Sequence, residues 1–152
     1  MKKTVVLLFA AFLLMLTACG VAQPAPQADL ERSPYSAADE LSDISVTVAE
    51  GTVGTKAESV SLTIRNLSGK EYSYGAPYEL EKEVDGVWYK YPPQEEMAFI
   101  MILYILEPNG TGEETVSLYS FFGELQPGTY RVVKSFSAED AQGVAFGVFD
   151  VK

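Results

Sequence analysis

The sequence predicts an all-β chain, folded as an Ig-like two-sheet antiparallel sandwich of seven or eight strands. Three observations carry that prediction. From Asp43 onward, apolar residues recur at every second position, the period of a half-buried strand. Turn signals separate these runs: Asp85-Gly86, Pro92-Pro93, Glu107-Pro108-Asn109-Gly110 and Pro127-Gly128. No segment after Leu41 keeps a helical period. Seven or eight short strands in roughly 110 residues fit two packed sheets.

The elements follow in order. Ile44, Val46 and Val48 alternate with Ser45 and Thr47, and Val60, Leu62 and Ile64 with Ser61, Thr63 and Arg65. Tyr78, Leu80 and Val84 alternate with Glu79, Glu81 and Glu83, which places the glutamates on a wet face. Asp85-Gly86 suits a two-residue hairpin turn, because both positions favour positive φ. Val87–Tyr91 returns as the partner strand, and Pro92-Pro93 ends it. Thr115–Leu118, Thr129–Phe136 and Val144–Val151 are further strands, with Val116 and Leu118 inward. Trp88 is expected to be a large central core residue. Tyr130 stands just after the Pro127-Gly128 turn, where a buried tyrosine sends its hydroxyl back to the upstream backbone.

Met97–Leu106 (MAFIMILYIL) has no polar alternation. Ten apolar residues are too few to cross a bilayer as a helix. The run reads as a central strand covered on both faces. If one face is open, the contact surface is either Phe99, Met101, Leu103 and Ile105 or the alternate set Ile100, Ile102, Tyr104 and Leu106.

The N-terminus reads as an address. Lys2 and Lys3 precede an unbroken apolar run of 12 residues, Val5–Leu16. As a helix it spans roughly 18 Å, short of the roughly 30 Å hydrocarbon core, which is signal-peptide length. Leu16-Thr17-Ala18-Cys19 follows and resembles the lipobox of bacterial lipoproteins. The resemblance implies a diacylglycerol on the Cys19 thiol and cleavage between Ala18 and Cys19, with the protein held on the extracytoplasmic face of the cell membrane. Two acyl chains give a lasting anchor where one does not. Gly20 to about Ser42 is rich in Pro, Ala, Gln and Ser and reads as a flexible tether, with a short turn around Ser36–Leu41 that Ser36 caps. The expected organisation is a signal peptide at 1–18, lipid attachment and tether at 19–42, and a sandwich at 43–152.

A broader resemblance rests on Ser61-Leu62-Thr63-Ile64-Arg65-Asn66, Tyr72-Ser73-Tyr74-Gly75, Leu80-Glu81-Lys82, Gly86-Val87-Trp88-Tyr89, Tyr104–Pro108 and Leu125–Val132. Over about residues 58–136 this pattern resembles a bacterial Ig-like domain of the kind found in exported Gram-positive lipoproteins. The shared residues are turns and core positions, so the resemblance implies a fold and carries over no site residue.

Composition narrows the function. The chain has 152 residues, with 21 acidic and 11 basic side chains and a net charge of -10. Loss of residues 1–18 removes Lys2 and Lys3 and no acid, leaving 9 bases against 21 acids, a net charge of -12. Such a surface repels phosphate backbones, so nucleic acid is not an expected partner. Histidine is absent and Cys19 is the single cysteine. Ser-His-Asp, Cys-His and His-metal sites are therefore excluded, and no cofactor or metal is expected.

Glu79, Glu81 and Glu83 are spaced roughly 7 Å apart along one strand face, near the separation used by inverting glycosidases. A solvated face that discourages edge pairing accounts for them more simply. Glu95-Glu96, Glu113-Glu114 and Glu139-Asp140 lie in no calcium-loop pattern and read as solubility. Asn66-Leu67-Ser68 and Asn109-Gly110-Thr111 read as turns. Tyr72, Tyr74, Tyr78, Tyr89 and Tyr91 crowd one stretch. An exposed strip of them would suit sugar or peptide faces. The sequence thus predicts a lipid-anchored domain without catalysis that binds a protein partner, or alternatively a carbohydrate- or cell-wall-binding module using the tyrosines.

Overall fold

The structure, a computed structural model, describes residues 30–152. Two sheets face each other. The smaller joins β1 (Ile44–Val48), β3 (Ser59–Asn66) and β8 (Thr111–Ser117), all antiparallel, in the order β1-β3-β8. The larger is built on the long hairpin of β9 (Gly128–Ser137) and β10 (Gln142–Val151). A two-residue β2 (Thr52–Val53) runs parallel beside β10.

The other edge of β9 is occupied by two strands end to end. β5 (Glu79–Val84) pairs from Glu79↔Val133 to Lys82↔Tyr130, and β4 (Tyr72–Gly75) pairs at Tyr74↔Phe136 and Ser73↔Ser137. From Tyr74 to Glu79 the chain advances five residues while β9 advances three, from Phe136 to Val133. β4 and β5 are thus one strand line interrupted by a bulge, where Pro77 is tolerated because no ladder bond needs its nitrogen. Each half carries its own outer strand: β6 (Val87–Lys90) on β5 and β7 (Leu103–Leu106) on β4. A single helical turn, α1 (Tyr119–Phe122), follows β8.

The core between the sheets follows the alternation read from the sequence. Ile44, Val46, Val48, Val60, Leu62, Ile64, Val116 and Leu118 on one side meet Leu80, Val132, Phe136 and Phe149 on the other. Tyr130 is fully buried, and its hydroxyl donates to the Gln126 carbonyl at 2.8 Å, so the corner turn closes as expected. The Asp85-Gly86 turn has positive φ at both residues, 52° and 77°. Asn66 is buried and ties its turn together: its Nδ2 donates to Lys70 O at 2.6 Å, and its Oδ1 accepts from the Ser68 N–H at 3.0 Å.

Four expectations need correction. Met97–Leu106 is not a doubly covered central strand. Only Leu103–Leu106 is strand, and it is the outermost strand of its sheet, reached by a loop from Tyr91 to Ile102. An all-apolar run gives no phase, so its length and covered face were not legible. Trp88 is not in the central core. It lies half-buried on the outer face of the large sheet, stacked on Arg131. The glutamate face of β5 is solvated only in part: Glu81 is fully buried, Glu83 half-buried and Glu79 exposed.

The cover is the fourth correction, since residues 31–41, read as flexible tether, are packed on that face. The Ser33 N–H donates to Trp88 O at 2.9 Å and the Lys90 N–H to Glu31 O at 2.8 Å, which adds an edge to β6. The Leu41 N–H then reaches Val144 O at 2.9 Å. A Cβ at Gly143 would stand 2.6 Å from Asp39 O, so glycine is what lets this strap lie against β10. Within it Ser36 caps a turn as predicted, accepting from the Ala38 N–H at 3.2 Å.

Candidate functional site

Cys19 and Ala18 lie outside the described residues. Of the five tyrosines, Tyr72, Tyr74, Tyr78 and Tyr91 are buried, and Tyr89 is half-buried. They form no exposed strip, because the rings of Tyr72 and Tyr74 on β4, and those of Tyr78 and Tyr91 beside β5 and β6, belong to the buried core. Tyr72 donates to Asp43 at 2.9 Å and Tyr78 to Ser117 O at 2.6 Å. Burial pushes each hydroxyl up to about 12.

Three surfaces remain as candidates. The first is the free edge of the large sheet. No strand flanks β7 on its outer side among the described residues. In the register Tyr72↔Leu106 and Tyr74↔Tyr104, Leu106 and Tyr104 point between the sheets and Leu103 and Ile105 point out. Leu103, Ile105 and the preceding Ile100 and Met101 are exposed, Met101 fully. The two contact sets separate only along β7, where Leu103 and Ile105 face out and Tyr104 and Leu106 in; in the loop before it Ile100, Met101 and Ile102 are all exposed. Phe99, from the first set, turns inward, with its ring centroid 5.4 Å from that of Tyr78.

The second is a cleft of about 430 Å³ in the seam between β7 and β8, the open side of the sandwich. Tyr74, Tyr78, Tyr104, Phe99 and Phe121 wall it, and Glu113 and Glu114 line it. The rings brace one another: Tyr74 and Tyr104 are 5.2 Å apart, Phe99 and Phe121 6.4 Å. Behind Glu114 stands Lys134, fully buried on β9. The strand bulge explains a lysine there. Its Nζ donates to the freed carbonyls of Gly75 (2.7 Å) and Ala76 (3.3 Å) and crosses to Glu114 Oε1 on the opposite sheet at 3.0 Å. Desolvation lowers the lysine pKa, partly opposed by Glu114. Glu114 is thus the structural counter-ion of Lys134, whereas Glu113 lies on the opposite, outward face of β8.

The third is an apolar groove of about 510 Å³ between Leu30, Pro93, Met97, Tyr78 and Phe122.

The profile of one protein family, Bacterial Ig-like domain, matches residues 40–146. The chain belongs to that family. Likenesses of the Ig-like domain to solved structures are far weaker. One is Pseudomonas fluorescens alkylpurine DNA glycosylase AlkC bound to DNA containing an abasic site analog, with 9% identity, 72% of this chain, 30% of that chain and TM-score 0.36. Another is the beta-glucosidase from Listeria innocua in complex with gluconolactone, with 19% identity, 71% of this chain, 16% of that chain and TM-score 0.35. The chain spans less than a third of either, and neither likeness bears on its activity. A search of curated proteins finds no match.

Two buried ion pairs of the Ig-like domain had no sequence signal. Lys134–Glu114 is one. On the outer face, Arg131 Nε and Nη2 both reach Glu81 Oε2 at 2.7 Å. The guanidinium lies between the rings of Trp88 and Phe146, 4.4 and 3.7 Å from their centroids. Tyr35 closes over it, donating to Glu79 at 2.6 Å and meeting Phe146 edge-on. This cluster fastens the strap, so it reads as structure. Glu79 and Glu81 thereby have structural partners in Tyr35 and Arg131. Among the described residues no three Asp, Glu, Cys or His side chains gather as a metal site, and no helix is long and apolar enough to cross a membrane.

Proposed function

We propose that this Ig-like protein is a non-catalytic interaction module, held on the extracytoplasmic face of the membrane by lipid on Cys19. It takes up an extended segment of a protein partner along the free edge of β7. One observation carries the reading: among the described residues the edge strand is bare and bears Leu103 and Ile105 outward, continuing the exposed Ile100 and Met101 of the loop before it. Soluble monomers seldom leave contiguous apolar residues uncovered without a binding role, and an unpaired strand edge offers main-chain donors and acceptors to a second chain. The Leu16–Cys19 lipobox after a short apolar run supports the anchor.

The test is capture from the protein's own envelope with a photo-crosslinking residue at Met101. The reading requires one protein to be captured repeatedly and lost from a folded Met101→Ser, Leu103→Ser, Ile105→Ser variant. Unchanged capture by that variant would refute the edge. Cys19→Ala tests the anchor separately, by loss of partition into the detergent phase.

A further inference from the structure

β7 carries no device against pairing with its own kind. Free sheet edges are usually blunted by a charge, a proline or a bulge. Leu103–Leu106 has no charge and no proline, and the whole run Met97–Leu106 is uncharged. Such an edge selects a strand by main chain and hydrocarbon, and no charged side chain on it excludes a like strand. A second β7 has that chemistry and is present wherever the first is.

Symmetry limits how two such strands can meet. Paired copies of one chain are most often related by a two-fold axis, so that each presents the same surface. With the axis normal to the sheet, two antiparallel strands keep every residue on its own face, and only positions of one face can lie opposite. The chain leaves strand geometry just before β7, where the Ile102 N–H returns to Ile100 O at 3.0 Å. For three pairs to fall within Leu103–Leu106, the axis must therefore pass through Tyr104 or Ile105. At Ile105 it would leave Leu103 opposite the partner's Glu107. At Tyr104 it sets Leu103 opposite the partner's Ile105, and Ile105 opposite the partner's Leu103, so both exposed side chains meet hydrocarbon. Glu107 then falls opposite position 101, six residues from the partner's Glu107. That is roughly 20 Å along the strand, beyond the screening length of about 8 Å at physiological salt.

We propose that the partner is a second copy of this chain, and that β7 pairs antiparallel with the partner's β7 about a two-fold axis at Tyr104, joining the two large sheets into one. This rests on the β7-edge reading and names its occupant.

The full chain, purified from membranes, is held in non-ionic detergent with micelles in large excess over protein, and its mass is read by sedimentation equilibrium. A dimer is expected, and Leu103→Ser with Ile105→Ser should weaken it about tenfold or more. Cysteine reads the register separately. Leu103→Cys and Ile105→Cys proteins, mixed and oxidised, set their new thiols directly opposite each other. Either protein alone sets the two Cα atoms roughly 8 Å apart, past the about 7 Å that a disulfide spans. The mixture should therefore cross-link about tenfold faster than either protein alone. The unmodified chain, whose one cysteine is Cys19, is the blank.

A monomer at every concentration overturns the second copy. So does a dimer that survives the double serine variant, or a cross-link as fast in the single proteins as in the mixture. The edge reading fails separately, if envelope capture at Met101 is unchanged by the triple serine variant. It stands without a second copy if that capture returns a different protein while the chain stays monomeric.

Discussion

The outer face of the large sheet has two halves that the same strand line separates. Beyond the bulge, the β5–β9–β10 half is covered by residues 31–41, and beneath that cover a glutamate and an arginine are buried. Before the bulge, the β4–β7 half has no cover among the described residues, and there leucine and isoleucine are exposed. Charge lies under the strap and hydrocarbon lies in water, the reverse of what side-chain polarity alone would arrange. The covered half is a completed interior. It tolerates ions because Arg131 is paired with Glu81 and stacked between two rings. The bare half has the composition of an interior and lacks its second layer. That asymmetry is why the β7 side, and not the strap side, is read as the surface for a partner.

The largest expected effect falls on the covered half. Arg131→Ala leaves Glu81 buried without its counter-ion and should cost about 3–5 kcal/mol, read as a lower urea midpoint. Arg131→Met combined with Glu81→Met replaces both ions by hydrocarbon and should recover most of that loss. A double variant as weak as the single would mean that the rings and the strap need the cation itself.

The core beneath both halves sets the next scale. Tyr130→Phe leaves the Gln126 carbonyl without its donor and should cost about 1–3 kcal/mol. Alkali should act on the same layer. Tyr72 and Tyr78 are held protonated up to about 12, chiefly by burial, against about 10 in an unfolded chain. Folded pKa values above the unfolded one give stability that is intact below pH 10 and lost as pH rises towards 12. A denaturation midpoint independent of pH from 9 to 12 would contradict the buried placement of these rings.

The strap comes third. Tyr35→Ala removes the edge contact with Phe146 and the hydrogen bond to Glu79, worth together about 1–2 kcal/mol. It should also open residues 31–41 faster than the rest of the domain, so trypsin should cut after Arg32 sooner than in the unmodified chain.

What the sequence made legible, and what it hid, divides along the same line. β1 and β3 were readable because one face of each is core and the other polar, so a period of two shows, whereas β9 and β10 carry Val133, Val144, Phe146 and Val148 on their outer faces and were legible as apolar runs bounded by turns. The turns at Asp85-Gly86 and Pro127-Gly128 were readable from φ requirements alone. The strap was not: Leu30, Tyr35 and Leu41 are its large apolar residues and share no period. With the strap unseen, Glu81 was assigned to solvent and Trp88 to the core. The seam cleft was hidden for a further reason. Lys134 and Glu114 sit at inward positions of otherwise apolar strands, and only the bulge at Gly75–Tyr78, which creates two carbonyls needing a donor, explains a buried lysine. Cys19 was legible as a motif and stands apart from the fold.

The smallest expected effect is the most discriminating. Leu103 and Ile105 lie on the uncovered half, outward of a strand whose inward residues, Tyr104 and Leu106, do the packing. Replacing exposed apolar side chains away from caps and turns usually changes stability by less than about 0.5 kcal/mol. Leu103→Ser with Ile105→Ser should therefore leave the urea midpoint within that range. Leu106→Ser, one position further on the inward face, should cost several kcal/mol through a lost core side chain and a buried hydroxyl. The two variants change neighbouring positions of one strand, so local strand propensity affects both alike and the contrast isolates the face. If the outward pair destabilised the domain as much as Leu106→Ser, those side chains would be covered in solution. The bare half would then be another completed interior, and the reason for placing a partner there would be gone.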